Sequence, residues 1–296
     1  MNLVVGATGS LGGEICRLLT QSGRPTRALV RTTSDADKVA SLRAMGVEVV
    51  RGDVRDRASL EEACRGVDAV LSTLSAMPAS YEPQNNSIQQ VDMQGVERLI
   101  DVAKAAGVGR FVYTSVSGKI DLDFPLKDAK CAVEKYLRDS GLTYTILQPS
   151  FFMETWLSPI VGFDYANGKA TVFGEGRNAI SWISMNDVAQ FAVDCLDNTA
   201  ASHAVLGLGG PEALSPNEVI KTFEAASGRS FDVSYVPEAA LLGQQEEATD
   251  PMQQSFAGLM RCYAMGDAID MSSTLRAFPR QLTSVDSYAR NVLAGG

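Results

Sequence analysis

Met1-Asn-Leu-Val-Val5-Gly6-Ala-Thr8-Gly9-Ser10-Leu11-Gly12 opens the chain and decides how the rest is read. The first five residues form a short apolar run containing two β-branched valines, and 13–22 reads as a helix. Strand, glycine turn and helix in that order make a dinucleotide-binding entry. One glycine permits the tight turn, a second lets backbone approach a pyrophosphate, and a third lets helix pack close on strand. The helix N-terminus offers unpaired N–H groups and partial positive charge to phosphates. Gly6, Thr8, Gly9, Ser10, Leu11 and Gly12 are therefore candidate cofactor-binding residues. The competing reading is an ordinary strand-to-helix turn; the position of the motif between strand and helix weighs against it.

Further candidate strands at 26–30, 47–50, 69–72, 111–114 and 144–147 alternate with helical stretches near 35–44, 59–64, 88–106 and 125–140. Short Val/Ile/Leu runs alternating with helices predict an α/β fold, a Rossmann-type doubly wound parallel sheet covered on both faces. Its ligand belongs beyond the C-terminal strand ends, beside the first strand. The rhythm fades after residue 150. The expected organisation is a dinucleotide-binding domain over 1–150 and a smaller α+β substrate-binding region over 151–296, partly interwoven with it. In that region 168–183 reads as a hairpin or irregular sheet, and 186–196 as a helix with Asn186 or Asp187 near its cap. Strands are expected at 204–208 and 231–236. Ser215-Pro-Asn-Glu218 is a capping box opening a helix to about Ser227. The polar stretch 239–254 reads as a mobile helical cover, and 282–293 as a final helix capped by Thr283 or Ser284.

Composition removes several function classes. Net charge is −9 without a dense Lys/Arg run, which weighs against nucleic-acid binding. Cys16, Cys64, Cys131, Cys195 and Cys262 form no C-x-x-C pair, so neither a disulfide scaffold nor a thiolate metal site is expected. His203 is the only histidine, which leaves nothing for a histidine-based metal site or a Ser-His-Asp triad. No apolar run reaches spanning length and no leader is legible, so a cytoplasmic protein without a membrane partner is expected.

Two side chains point to chemistry. Arg31 ends the second strand, 19 residues after Gly12, where an acidic residue would bind a ribose 2′-hydroxyl. A guanidinium there pairs with a 2′-phosphate, aided by hydroxyls such as that of Thr32, and predicts NADP(H) over NAD(H). A solvent-facing arginine is the alternative. On an α-helix begun at Pro125, Leu126, Val133 and Leu137 share a narrow apolar face, and Lys130 falls beside them. A lysine buried there needs a partner or a ligand. Snorkelling to water, or an i,i+4 pair with Glu134, are the alternatives.

The Gly6–Gly12 spacing, Leu29-Val-Arg31, Gly52-Asp53, Lys130-x-x-x-Glu134, Ser140-Gly-Leu-Thr-Tyr-Thr-Ile-Leu-Gln-Pro149, Phe151-Phe-Met-Glu154 and Ile183-Ser-Met-Asn-Asp187 together carry a resemblance. They resemble the NmrA-like branch of atypical short-chain dehydrogenases/reductases, with its isoflavone-reductase-like and quinone-reductase-like members, over about residues 1–235. The resemblance implies that Asp53 and Val54 meet the adenine, and that Ser72, Thr73 and Leu74 lie along the cofactor ribose. It places Ser115, or alternatively Ser117, at the substrate carbonyl. Lys130 is implied as the catalytic residue, holding the nicotinamide ribose or assisting proton delivery. Pro149, Ser150 and Phe151 pass the nicotinamide, and Phe152, Trp156 and Tyr165 line the substrate pocket. Trp156, Phe163 and Tyr165 would form one aromatic wall suited to a planar substrate.

The sequence departs from the pattern at two positions. Leu126 stands where the commoner short-chain reductases carry their proton-donating tyrosine, and Gln148 stands where many relatives carry arginine. The expected function is an NADPH-dependent reductase of a carbonyl, quinone or conjugated alkene in a small hydrophobic molecule, monomeric or homodimeric. A non-catalytic NADP(H)-binding redox sensor or regulator, or a redox-neutral epimerase or cyclase, are the alternatives.

Overall fold

A computed structural model describes residues 1–78 and 80–295. The chain divides into two compact units. The first comprises Met1–Ser115, Pro125–Leu147 and Val188–Leu206; the second comprises Val116–Phe124, Gln148–Asp187 and Gly207–Gly296.

In the first unit strand and helix alternate: β1 (Asn2–Val5), α1 (Ser10–Gln21), β2 (Thr26–Val30), α2 (Ala36–Ala44), β3 (Glu48–Arg51), α3 (Arg57–Ala63) and β4 (Ala69–Ser72). A π-helical turn, Gln89–Met93, leads into α4 (Gln94–Ala105). β5 (Arg110–Thr114), α5 (Pro125–Asp139) and β6 (Tyr144–Pro149) follow. The strands lie in the order β3-β2-β1-β4-β5-β6, with β9 (Ala204–Leu208, described below in chain order) at the far edge. The five pairings from β3 to β6 are all parallel.

Burial explains why the opening run is so apolar. Leu3, Val4 and Val5 are at most 1% exposed, because β1 has a strand on either side and a parallel sheet is covered on both faces. On α1, Leu11, Ile15, Cys16 and Leu19 form the buried stripe. Asp35 and Asp56 cap α2 and α3 by accepting backbone N–H groups of the first turn.

The second unit holds α6 (Met153–Trp156), β7 (Phe163–Asp164), β8 (Lys169–Phe173) and the start of α7 (Met185–Asp194). After β9 come α8 (Pro216–Ser227), β10 (Asp232–Val236), α9 (Glu238–Glu247), α10 (Pro251–Met265), α11 (Ser272–Ala277) and α12 (Val285–Ala294). β8 pairs antiparallel with β7 and parallel with β10, so 168–183 is a sheet strand followed by irregular chain rather than a hairpin. The capping box at Ser215 and Glu218 is formed.

Two local expectations are corrected. The α7 N-terminus is satisfied by Ser184, whose Oγ accepts the Asn186 N–H at 3.1 Å, and by the Glu154 carboxylate, which accepts from Met185. Asp187 instead turns inward and accepts the Thr283 N–H at 2.8 Å. The expected cover at 239–254 is two helices, and the second runs on to Met265. Asp250 caps it through the N–H groups of Met252 and Gln253, with Pro251 at its first position. At α12 the cap is Ser284, one of the two residues expected there, and the Thr283 hydroxyl is directed at Asp187.

Burial raises the Asp187 carboxyl above the usual carboxylate range, against the opposing Thr283 bonds and the Arg280 charge. A carboxyl held above its unfolded value favours folding while protonated, and that contribution is lost as pH rises through the raised value. Asp187→Asn keeps an acceptor for Thr283 and does not ionise. Its melting temperature relative to the wild type should therefore rise as pH is raised from about pH 4, the ordinary carboxylate value. Melting curves from that pH upward check this; a flat difference would refute it.

Candidate functional site

The strand order reverses beside β1, where α1 leaves on one side and the chain beyond β4 on the other. Gly6 ends β1 at φ +92°, and a Cβ there would lie 2.7 Å from Thr73 Oγ1. A Cβ on Gly12 would lie 2.3 Å from the Gly6 carbonyl oxygen. Both contacts are closer than real Cβ atoms allow, so these two positions exclude any side chain. Gly9 caps α1 without a side-chain bond, leaving the first N–H groups of the helix open. Such an open helix end beside bare backbone can cradle a pyrophosphate.

A cavity of about 430 Å³ adjoins this turn. Gly6, Thr8 and Gly9 form one end of it, and Thr73, Leu74 and Ser75 run along its side. Arg31, Thr33, Ser34 and Lys38 line another part, with Asp53 and Val54 close by. Ser10, Leu11 and Gly12 belong to α1 and are not among the lining residues. The Arg31 turn is fixed locally, since Arg31 N–H donates to Ser34 Oγ at 3.0 Å and Ser34 N–H returns to the Arg31 carbonyl at 3.1 Å. That turn leaves Thr32 exposed and off the cavity, so the hydroxyls available there are those of Thr33 and Ser34. Lys38, unforeseen from the sequence, adds a second cation; its signal was a lysine in the first turn after the Asp35 cap.

Asp53 does not cap α3. Arg55 clamps its carboxylate with two bonds of 2.8 and 2.6 Å. These bonds hold the Asp53 carboxyl below its ordinary range, with the Arg31 charge acting the same way. Val54 is buried against Gly95. Of the three residues ending β4, Thr73 and Leu74 reach the cavity, while Ser72 is 1% exposed and its hydroxyl is enclosed without a partner. The Ser72 side chain is therefore a core group.

Lys130 lies on the buried face of α5 as its spacing requires, but it does not line the cavity. Its Nζ donates to the Leu74 carbonyl at 2.8 Å, stands 3.5 Å from Asp92 Oδ1, and sits 5.3 Å from the Tyr113 ring centroid. Burial lowers the Lys130 pKa, and the Asp92 carboxylate opposes that shift. Glu134, the partner weighed from sequence, pairs with Arg138 instead at 2.8 Å. Asp92 was missed, although Asp92, Val96, Leu99 and Ala103 share the helical spacing of one buried face. Burial also pushes the Tyr113 phenol far up, and its hydroxyl has no partner.

Ser115 ends β5 with its hydroxyl buried and unpartnered, while its N–H donates to the Leu147 carbonyl. Ser117, in the second unit, donates to Asp267 Oδ1 at 2.8 Å, and Ser150 donates to the Asp267 carbonyl at 3.3 Å. Ser150 thus sits in a buried polar cluster, next to Pro149 at the end of β6. Phe151 is 5% exposed and its ring packs 4.9 Å from Trp156 and 6.0 Å from Tyr263. Phe152 is half-buried at the start of α6.

The single aromatic wall expected from Trp156, Phe163 and Tyr165 does not form. Phe163 and Tyr165 pack on Phe223 in a separate group, because β7 carries them towards α8 and away from the Trp156 rings. His203 is exposed in a left-handed turn, and the five cysteines form no disulfide among the described residues. Among the described residues no cluster of three or more His, Cys, Asp or Glu could hold a metal, and no helix is long and apolar enough to cross a membrane.

The profile of the NmrA-like family matches residues 2–289. The chain is 34% identical over 285 residues to an NAD(P)H azoreductase of Xenophilus azovorans, covering 95% of this chain and 92% of that protein. It is 32% identical over 317 residues to the isoflavone reductase homolog IRL of Zea mays, covering 98% and 97%. Among solved structures, an NADPH-dependent quinone oxidoreductase from Escherichia coli complexed with NADPH shares the fold with a TM-score of 0.79, at 24% identity over 99% of this chain and 100% of that one.

Gly12→Ala forces a methyl group into the Gly6 carbonyl. It should destabilise the protein by about 1–3 kcal/mol and weaken dinucleotide binding beyond that loss. Thermal melts with and without NADPH check this; wild-type binding in the variant would refute the close approach.

Proposed function

Since the chain belongs to the NmrA-like family, we propose that it is an NADPH-dependent reductase of a small hydrophobic carbonyl, quinone, azo compound or conjugated alkene. The observation that carries this reading is the glycine cradle opening into one cavity with two cations, Arg31 and Lys38, at its far part. Bound NADPH supplies the hydride. The chain supplies the binding and the orientation. The open α1 N-terminus takes the pyrophosphate, and Arg31 and Lys38 with Thr33 and Ser34 take the 2′-phosphate. Thr73 and Leu74 present backbone along the cavity wall, and Asp53 and Val54 serve the adenine end. Reductase relatives support the chemistry, since an azoreductase at 34% identity and a quinone oxidoreductase of the same fold are reductases by name.

Leu126 removes the tyrosine that usually donates the proton, and Lys130 is the buried cation nearest the wall at Leu74. We assign Lys130 to the nicotinamide end, where it holds the ribose side of the site or delivers the proton. Ser115, at the end of β5, is assigned to the substrate carbonyl because its hydroxyl has no internal partner. Phe152 and Trp156 are assigned to the substrate pocket; Tyr165, stacked on Phe223, is not needed there.

One observation favours a second reading, a non-catalytic NADP(H) sensor. Lys130 is engaged by Asp92 and Leu74, and the Tyr113 hydroxyl is sealed in the core, so neither of these two groups lines the cavity to give a proton there.

Binding of NADPH, NADP⁺, NADH and NAD⁺ followed by mixing with quinones, azo dyes and enones separates the readings. Oxidation of NADPH is the expected outcome; tight binding with no oxidation across all three classes would favour the sensor. Arg31→Ala should reduce the preference for NADPH over NADH by roughly tenfold, read as a ratio of dissociation constants. An unchanged ratio would move the 2′-phosphate elsewhere.

A further inference from the structure

Two opposite charges are buried together in the first unit, and the reading above gives a role to only one of them. Asp92, on the π-helical turn, is 0% exposed, and Lys130 is 5% exposed. Asp92 Oδ2 accepts the Ala76 N–H at 3.0 Å, while its Oδ1 stands 3.5 Å from Lys130 Nζ. Lys130 in turn donates to the Leu74 carbonyl at 2.8 Å. The pair therefore grips Leu74 and Ala76, the residues on either side of Ser75. Leu74 and Ser75 line the dinucleotide cavity.

Core stability alone gives no reason for this arrangement. A buried ion pair is often no better than an apolar pair of equal volume. What the charges add is direction: a carboxylate with two distinct acceptors and an ammonium with one backbone target leave the segment one course. Asp92 also lies in a π-helical turn, a widening of the helix that is frequent at functional sites.

We propose that Asp92 is a positioning residue of the cofactor site: its carboxylate holds Lys130 on the Leu74 carbonyl and so fixes the course of Leu74–Ala76 along the cavity wall. This rests on the dinucleotide reading of the cavity, though not on turnover. The other groups around Lys130 are the Tyr113 ring below it, with Glu134 and Cys131 beside that phenol; Glu134 is engaged by Arg138. Asp92 is thus the charge that holds the Lys130 ammonium protonated against burial. Without it the lysine titrates at lower pH.

The test compares Asp92→Asn, Lys130→Met and the double variant with the wild type. Three quantities are read: the NADPH dissociation constant by fluorescence, the titration of the Lys130 13Cε resonance, and NADPH oxidation with menadione as acceptor. Each single substitution should weaken NADPH by about tenfold, and the double by no more than either alone, because one device is removed once. In Asp92→Asn the Lys130 midpoint should move to lower pH, and Asp92→Glu should return it towards the wild-type value.

Wild-type NADPH affinity in Asp92→Asn, an unmoved Lys130 midpoint, or effects that multiply in the double variant would overturn the proposal. If Asp92→Asn does not fold, the double variant, free of uncompensated charge, is set against Lys130→Met: equal affinities support the proposal, and a further loss overturns it. Menadione turnover by the wild type tests the reductase reading separately. Its absence would sink turnover with that acceptor while the binding and NMR results still decide the role of Asp92.

Discussion

The structure depends on one close approach of backbone to backbone. α1 can lie over the end of β1 only because Gly12 has no side chain to strike the Gly6 carbonyl, and Gly6 none to strike Thr73. That approach directs the open end of the helix into the gap where the strand order reverses. The cavity, the position of Arg31 at the end of β2 and the run of Thr73 and Leu74 beyond β4 all follow from where that gap falls.

The second organising element is polar and buried. Parallel strands exclude water from both faces, so a charge placed on α5 against the sheet must be answered from within. Asp92 answers Lys130, and the Leu74 carbonyl and Tyr113 ring complete its surroundings. Removing one member of such a pair usually costs about 3–5 kcal/mol, because the other charge is stranded. Nearby, the hydroxyls of Ser72, Tyr113 and Ser115 are enclosed without partners, so this region forgoes hydrogen bonds that a purely structural core would have made.

The Rossmann half was legible because each of its elements announces itself locally. Period, glycine turn and short connections place β1 to β6 within two residues, and burial on both faces makes β1 and β4 plain apolar runs, whereas the edge strand β3 is partly exposed. Lys130 was legible from helical spacing alone. Its partner was harder, since Asp92 stands 38 positions earlier and only the packing of the π-helical turn on α5 unites them. The single wall of Trp156, Phe163 and Tyr165 fails for the same reason. Aromatic residues near one another in sequence were read as one surface, whereas Phe223 and Tyr263, both distant in the chain, draw them into different groups. The helix from Pro251 to Met265 carried a readable Asp-Pro start, but its weak periodicity hid its length.

The bare N-terminus of α1 has a thermodynamic consequence. Asp35, Asp56, Ser215, Asp250 and Ser284 each finish a helix with their own side chain, and Gly9 does not. An anion seated on α1 is then the missing cap, and its binding energy is folding energy. At a concentration a hundredfold above its dissociation constant such a ligand adds about 2.7 kcal/mol to stability. A ligand that caps α1 in this way makes the melting temperature depend on its concentration.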